Sequence, residues 1–254
     1  MTQTKAAHAS RRAPTGRAAL GLLSMTLVLA SSIAFAQTAW AADAASAVAP
    51  VCSATPRAAS PAYLARILAI ARELGVATDY PARHSLRPQL PAKTLTKAGV
   101  DVRGRTTRLA PRAAAALRAM IAAASRDGLV LQIVSGFRSV AYQRALVEAK
   151  LQRGLSLDDA LRINTAPGFS EHHSGCAIDL TTPNVAPAET GFADTRAYEW
   201  LQQHAGEYGF HLSYPPDNEH GIAFEPWHWR YVVDDHADAG SAEITPSEAS
   251  ADGG

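Results

Sequence analysis

Basic residues exceed acidic ones by only one in this chain, and this limits the partners it can have. The 254 residues include 24 Lys and Arg against 23 Asp and Glu. Four of the basic residues, and none of the acidic ones, lie in residues 1–36. The other 218 residues therefore hold 20 basic and 23 acidic residues, a net charge of −3. Nucleic-acid phosphates require a basic face, so the composition argues against a nucleic-acid partner.

Cysteine is also scarce, with only Cys52 and Cys176 in the chain. At most one disulfide can form within it. In an exported protein the two residues can pair, although one lies far toward the N-terminus. The alternative is that Cys176 is a small buried hydrophobic residue. The sequence leaves both interpretations open.

The two ends of the chain differ in composition from the middle. Residues 1–36 combine a basic start with an apolar run and a small-x-small triplet, the pattern of a secretory signal peptide. A retained anchor is the alternative, because the apolar run approaches the roughly 20 residues that span a bilayer. Residues 37–59 indicate a linker, and the acidic residues 234–254 a disordered tail. We expect an exported, periplasmic or wall-associated protein without stable membrane insertion once the signal is cleaved.

Between these ends, helical and strand patterns are mixed without regular βαβ alternation, which predicts an α+β fold. Residues 60–110 are expected to form an N-terminal helix, from Ser60 to Gly75, followed by an irregular covering segment. Residues 111–233, long enough for a sizeable core, form the main predicted domain. Helices are predicted from Pro111, Val140, Ser156 and Asp194, and strands at 129–134, 176–181, 210–214 and 227–233.

Two short stretches hold a possible metal centre. His172 and Asp179 lie seven positions apart around Gly175, which by itself is weak evidence and also fits a polar loop. His228, with Glu225 three residues before it, strengthens the interpretation. Two histidines and an aspartate can hold Zn²⁺ and leave its fourth position open. Glu225 would then be free to act as a base.

Three motifs occur in a specific order. Ser135–Ser139 matches S-G-[FY]-R-S, Ser170–Asp179 matches S-x-H-x-x-G-x-A-x-D, and Glu225–His228 matches E-x-W-H. With these motifs the sequence resembles the VanY-type zinc D-Ala-D-Ala carboxypeptidase family over about residues 111–233. The resemblance implies a hedgehog/DD-peptidase-like fold, a small antiparallel sheet with flanking helices.

The resemblance also implies roles for individual residues. It implies His172, Asp179 and His228 as zinc ligands, and Glu225 as the general base that activates a zinc-bound water. It implies Arg138, Gln143 and Ser170 as substrate-binding groups, with Arg138 also stabilising the oxyanion. We expect a supporting or surface position for His173.

The implied activity is hydrolysis of peptidoglycan stem peptides by a monomeric D-Ala-D-Ala, or L,D-, carboxypeptidase. A peptidoglycan endopeptidase is one alternative, and a non-catalytic zinc-containing wall-binding module is another. Glu225 argues against the module, because a structural zinc site needs no base. The sequence departs from its relatives at Ser213, where they often carry a basic residue, and at His220-Gly221, where Thr-Gly is common. Both departures bear on substrate preference.

Overall fold

The computed structural model describes residues 52–53 and 57–233. The predicted signal peptide, most of the predicted linker and the predicted acidic tail lie outside these residues. Within the described part of the chain, no helix has both the length and the apolar character that crossing a bilayer demands.

Helices and strands alternate irregularly along the chain, and the predicted α+β class is confirmed. The helices are α1 (Pro61–Glu73), α2 (Tyr80–Arg83), α3 (Pro111–Arg126), α4 (Val140–Gln152), α5 (Leu157–Ile163) and α6 (Arg196–His204). The strands are β1 (Thr96–Val100), β2 (Thr106–Leu109), β3 (Gln132–Ser135), β4 (Ala177–Thr181), β5 (Phe210–Leu212) and β6 (His228–Tyr231). Three short 3₁₀ helices span Glu171–Ser174, Thr190–Asp194 and Ala205–Tyr208.

The central sheet has four strands in the order β3-β4-β6-β5, and every neighbouring pair is antiparallel. Its register brings distant polar residues together. Asp179 on β4 lies opposite His228 on β6, and Ser135 on β3 lies opposite Asp179 on the other side. Residues directly opposite each other in such a pair have Cβ atoms about 5 Å apart. The sheet therefore places two of the predicted metal ligands side by side.

Helix α3 covers one face of the sheet. Its buried residues recur at helical spacing, with Ala113, Leu117, Met120 and Ala124 on one side of the helix. They belong to a single core that also contains Ile178 of β4. Full burial of a leucine side chain is worth about 1.5–3 kcal/mol, so this stripe fixes the helix against the sheet.

A smaller core joins α1 to the loop before His172. Ile67 and Ala71 of α1 pack with Phe169. Gly168 precedes that phenylalanine with a φ of 95°, and a Cβ there would lie 2.5 Å from the Cβ of Ile67. Only glycine lets the loop approach the helix this closely. The predicted N-terminal helix, with Ser60 as its cap, is confirmed and supports the loop.

Some element boundaries differ from the prediction. The segment before residue 110 is not all irregular, because β1 and β2 form an antiparallel hairpin. Helix α6 begins after Thr195, whose hydroxyl accepts a hydrogen bond from Tyr198 N at 3.1 Å, and not after Asp194. Strand β3 begins at Gln132 because its partner β4 ends opposite it, at Thr181.

The structure also decides between the two interpretations of the cysteines. Cys52 and Cys176 form a disulfide across 124 positions of sequence. Beside it, Val233 N donates to Cys52 O at 2.8 Å, and Ser53 forms a parallel bridge with Val233. The disulfide therefore ties the N-terminal segment to the residue just before β4.

Candidate functional site

His172 lies on the 3₁₀ helix that precedes β4. Gly175 ends this helix at a φ of 72°, and a Cβ there would lie 3.0 Å from Ala110 N. The His172 ring is fully buried, and its Nδ1 donates to the carbonyl of Gly136 at 2.7 Å. This bond fixes the tautomer, so that Nε2 carries a lone pair and faces the site.

The three predicted ligands meet at one point. Asp179 Oδ1 lies 3.2 Å from His172 Nε2 and 3.0 Å from His228 Nδ1. One potential ligand atom from each residue falls within 4.8 Å of the other two. All three side chains are buried, although they line a cleft.

This cluster fits a metal ion. Within the described residues, His172 Nε2 is buried and makes no hydrogen bond of acceptable geometry, despite its nearness to Asp179. A buried polar atom without a partner costs about 1–3 kcal/mol, which a metal would offset. Burial, together with the charge of Arg138, lowers the pKa of His172 to about 4, so the ring is neutral and able to bind a cation. Two imidazoles and a carboxylate are a ligand set typical of zinc.

Glu225 lies beside the cluster without completing it. It comes before β6 in a tight turn, in which His228 N donates to the Glu225 carbonyl at 3.0 Å. Its Oε2 is 3.8 Å from His228 Nδ1, and the residue is only 7% exposed. Burial raises the pKa of this carboxyl to about 7, with the His228 charge opposing the rise. The carboxyl of Glu225 therefore adjoins the metal ligands.

The three predicted substrate-binding residues line the same cleft, which has a volume of about 330 Å³. Arg138 Nη2 is 3.7 Å from Asp179 Oδ2, and its buried Nε has no hydrogen-bond partner within the described residues. Gln143 Nε2 donates to Thr165 O at 2.9 Å, which leaves its buried Oε1 unpaired among those residues. Ser170 is 3% exposed. Unpaired polar atoms in a cleft are suited to bind a polar ligand.

Sequence reasoning missed Glu171. Its Oε2 lies 2.9 Å from His228 Nε2 and accepts a bond from Ser213 Oγ at 2.7 Å. Its Oε1 accepts from Arg230 Nη1 at 2.6 Å. A carboxylate on the far nitrogen of a ligand histidine fixes the ring and raises its basicity. The one sequence clue to this role was its position inside the motif, next to His172.

Charge interactions around His228 are correspondingly strong. Burial alone would lower the pKa of this ring, but its bonds to Asp179 and Glu171 outweigh burial and raise the pKa to about 10. Burial would raise the pKa of Glu171, yet His228 and Arg230 hold it well below its usual range. The ring of His228 is therefore held between two carboxylates.

His173 has a supporting position in the interior, and the surface alternative is wrong. Its Nδ1 donates to Arg138 O at 2.7 Å, and its Nε2 accepts from Gly168 N at 3.0 Å. Arg138 N in turn donates to His172 O at 3.2 Å. These bonds hold the backbone of Arg138 against the metal-binding helix.

A family model matches this chain, and several known proteins have similar sequences. The family model of VanY, D-alanyl-D-alanine carboxypeptidase, matches residues 106–234. YodJ of Bacillus subtilis (strain 168) is 36% identical over 125 residues, which are 47% of this chain and 45% of that protein. A D-alanyl-D-alanine carboxypeptidase of Enterococcus faecalis (strain ATCC 700802 / V583) is 30% identical over 126 residues, 46% of this chain and 45% of that protein. The chain thus spans about half the length of these curated relatives.

Solved structures with related sequences include the LdcB LD-carboxypeptidase, which is 30% identical with a TM-score of 0.48. The match covers 60% of this chain and 69% of that one. VanYB in complex with D-alanine-D-alanine is 27% identical with a TM-score of 0.46, and the match covers 60% and 85% of the two chains.

Proposed function

Because the chain belongs to the VanY D-alanyl-D-alanine carboxypeptidase family, we propose that it is a zinc-dependent peptidase that removes a C-terminal D-alanine from peptidoglycan stem peptides. One observation carries the proposal. The His172, Asp179 and His228 ligand atoms lie within 4.8 Å of one another, and the buried Glu225 carboxyl adjoins them in the same cleft. A wall-binding module with structural zinc would gain nothing from a buried carboxyl at this place.

The three ligands would hold the metal, and Glu225 would handle protons. When bound, Zn²⁺ supplies a Lewis acid that polarises a carbonyl and lowers the pKa of water toward about 7. The Glu225 carboxylate accepts the proton of the attacking water and then donates it to the nitrogen of the departing D-alanine. Burial raises the pKa of Glu225 above its ordinary value, which favours a carboxyl that can both accept and donate a proton.

Arg138 and its neighbours would select the end of the peptide. The guanidinium of Arg138 can form two parallel charge-assisted bonds to a free carboxylate. Gln143 retains a second amide hydrogen after its bond to Thr165, and the Ser170 hydroxyl lies in the same cleft. Together these groups would bind the terminal carboxylate and orient the scissile bond toward Glu225.

We further propose that the protein acts as a monomer outside the cytoplasm, where its substrate is found. The disulfide between Cys52 and Cys176 supports this location, because such bonds persist in oxidising compartments. The signal-like residues 1–36 point the same way.

The test is hydrolysis of paired synthetic peptides by the zinc-loaded protein. A stem pentapeptide ending in D-Ala-D-Ala and its C-terminal amide would be incubated separately, and the products identified by mass spectrometry. We expect release of a single D-alanine from the free acid and little cleavage of the amide. Equal cleavage of both, or cleavage within the peptide, would refute the carboxypeptidase proposal and favour an endopeptidase.

A further inference from the structure

One wall of the cleft carries positive charges that the proposed reaction does not use. Helix α4 contributes Gln143, Leu146, Lys150 and Arg153 to this wall, the last from its C-terminal cap. Their spacing of three, four and three residues places them on one face of the helix. Arg103, from the turn between β1 and β2, lines the same cleft.

The side chains of these cations form no ion pairs within the described residues, although the charge of Glu225 acts on Lys150. The acidic residues that line the cleft are Asp179 and Glu225, and both belong to the reaction centre. None of the ion pairs within residues 52–53 and 57–233 involves Arg103, Lys150 or Arg153. Their charge is therefore available to a ligand in the cleft.

Lys150 is the most enclosed of the three, being half-buried, whereas Arg103 and Arg153 are exposed. Burial, and then the nearby Arg153, lower the pKa of Lys150, while the charge of Glu225 opposes them. Arg153 Nε also donates to Ala149 O at 3.0 Å, which holds its guanidinium against the helix. Lys150 thus lies between the reaction centre and Arg153.

The position of these charges corresponds to a specific part of a bound peptide. An α-helix rises about 1.5 Å per residue, so Lys150 lies about 10 Å beyond Gln143 along α4. An extended peptide covers about 3.5 Å per residue, so this distance corresponds to about three residues. With the terminal carboxylate at Arg138 and Gln143, a long side chain on the third residue from the C-terminus reaches Lys150.

We propose that Arg103, Lys150 and Arg153 form a subsite for a second carboxylate, carried by the third residue from the C-terminus of the stem peptide. The preferred substrate then has diaminopimelate at this position. Both diaminopimelate and lysine carry an ammonium group at the end of the side chain, but in diaminopimelate a carboxylate offsets its charge. A lysine would leave the ammonium uncompensated among three cations, and like charges repel. The inference rests on the proposed function, because it assumes that a stem peptide occupies the cleft.

The test uses two peptides that differ in one carboxylate. They are L-Ala-γ-D-Glu-X-D-Ala-D-Ala, with meso-diaminopimelate or L-lysine as X, and kcat/KM is measured for D-alanine release by the zinc-loaded protein. We expect the wild type to prefer the diaminopimelate peptide by about tenfold or more, as a charge-assisted bond allows. The preference should fall as NaCl is raised, because exposed charges are screened.

Substitutions then locate the origin of this preference. Among the three single substitutions to Gln, that of Lys150 should reduce the preference for the diaminopimelate peptide most. Lys150 is half-buried, and exposed ion pairs contribute less free energy than half-buried ones. The triple variant Arg103→Gln, Lys150→Gln, Arg153→Gln should bring the ratio close to one. Arg126→Gln, at an exposed position on α3 outside the cleft, is the matched control and should keep the wild-type ratio.

A binding measurement separates this inference from the proposed function. Glu225→Gln protein loaded with zinc would be titrated with both peptides by calorimetry. One outcome is that the wild type releases no D-alanine while this variant binds the diaminopimelate peptide about tenfold more tightly than the lysine peptide. In that case the subsite stands and the proposed function is wrong. Two results would overturn the subsite. One is equal turnover of the two peptides by the wild type together with equal affinity of the Glu225→Gln protein for both. The other is a turnover preference that is unchanged in the triple variant.

Discussion

Removal of the disulfide should destabilise the fold without damaging the site. The bond joins residues 124 positions apart, and Cys52→Ala with Cys176→Ala removes it. A cross-link over a loop of this length lowers the entropy of the unfolded chain by about 16 cal/mol/K, or about 4.9 kcal/mol at 25 °C. A change of 1 kcal/mol shifts Tm by about 2–4 °C in a domain of this size, so we expect a fall of about 10–20 °C.

The assay is urea denaturation of both proteins, followed by circular dichroism and by tryptophan fluorescence. Because the effect arises in the unfolded state, the double variant should unfold at lower urea with an equal or larger m value. At a temperature where both proteins are folded, kcat/KM should stay within about threefold, since neither cysteine lines the cleft. A loss of stability below about 1 kcal/mol would show that the loop-entropy reasoning does not apply here.

Three further predictions concern the site. Glu225→Gln should retain zinc and fold but lose about 10²–10⁴-fold in kcat, because the water must still lose a proton. The exposed Glu199→Gln is the control and should keep the wild-type kcat. If Glu225→Gln also turns over at the wild-type rate, Glu225 is not the general base. Arg138→Ala should reduce kcat/KM for a free-acid peptide by about tenfold or more, and much less for its amide. An equal loss on both peptides would mean that Arg138 does not bind the carboxylate. Glu171→Gln should weaken zinc binding by about 10–100-fold in a chelator competition, because the carboxylate fixes the His228 ring. An unchanged zinc affinity would limit Glu171 to a structural role.

The metal centre was predictable because its information is local. Gly175 sets the turn between His172 and Asp179, and the tight turn at Glu225 sets its distance from His228. Each motif therefore fixes its own geometry, and the antiparallel register of β4 and β6 then brings the two motifs together.

Features that depend on distant parts of the chain were not predictable. Glu171 acquires its role from Arg230 on β6 and from Ser213 just after β5, both of which are distant in sequence. Ser213 and Arg230 both donate to Glu171, so the serine takes part in the contact that fixes His228. The pairing of Cys52 with Cys176 likewise required the tertiary fold, since spacing of 124 residues gives no constraint.

The hairpin of β1 and β2 was missed for a different reason. Its strands are only five and four residues long, and β1 contains Lys97 and Gly99, which are poor strand formers. Its stability comes from antiparallel pairing and from contact with α3, which a short sequence window does not contain.

The most direct test of a catalytic zinc centre is the metal content of the purified protein. Zinc would be measured by mass spectrometry in the wild type, in His172→Ala and in His228→Ala, with His211→Ala at an exposed position as control. We expect about one zinc per molecule in the wild type and the control, and loss of zinc together with D-alanine release in the two ligand variants. Stoichiometric zinc in both ligand variants, or full D-alanine release without zinc, would contradict a zinc centre at this site.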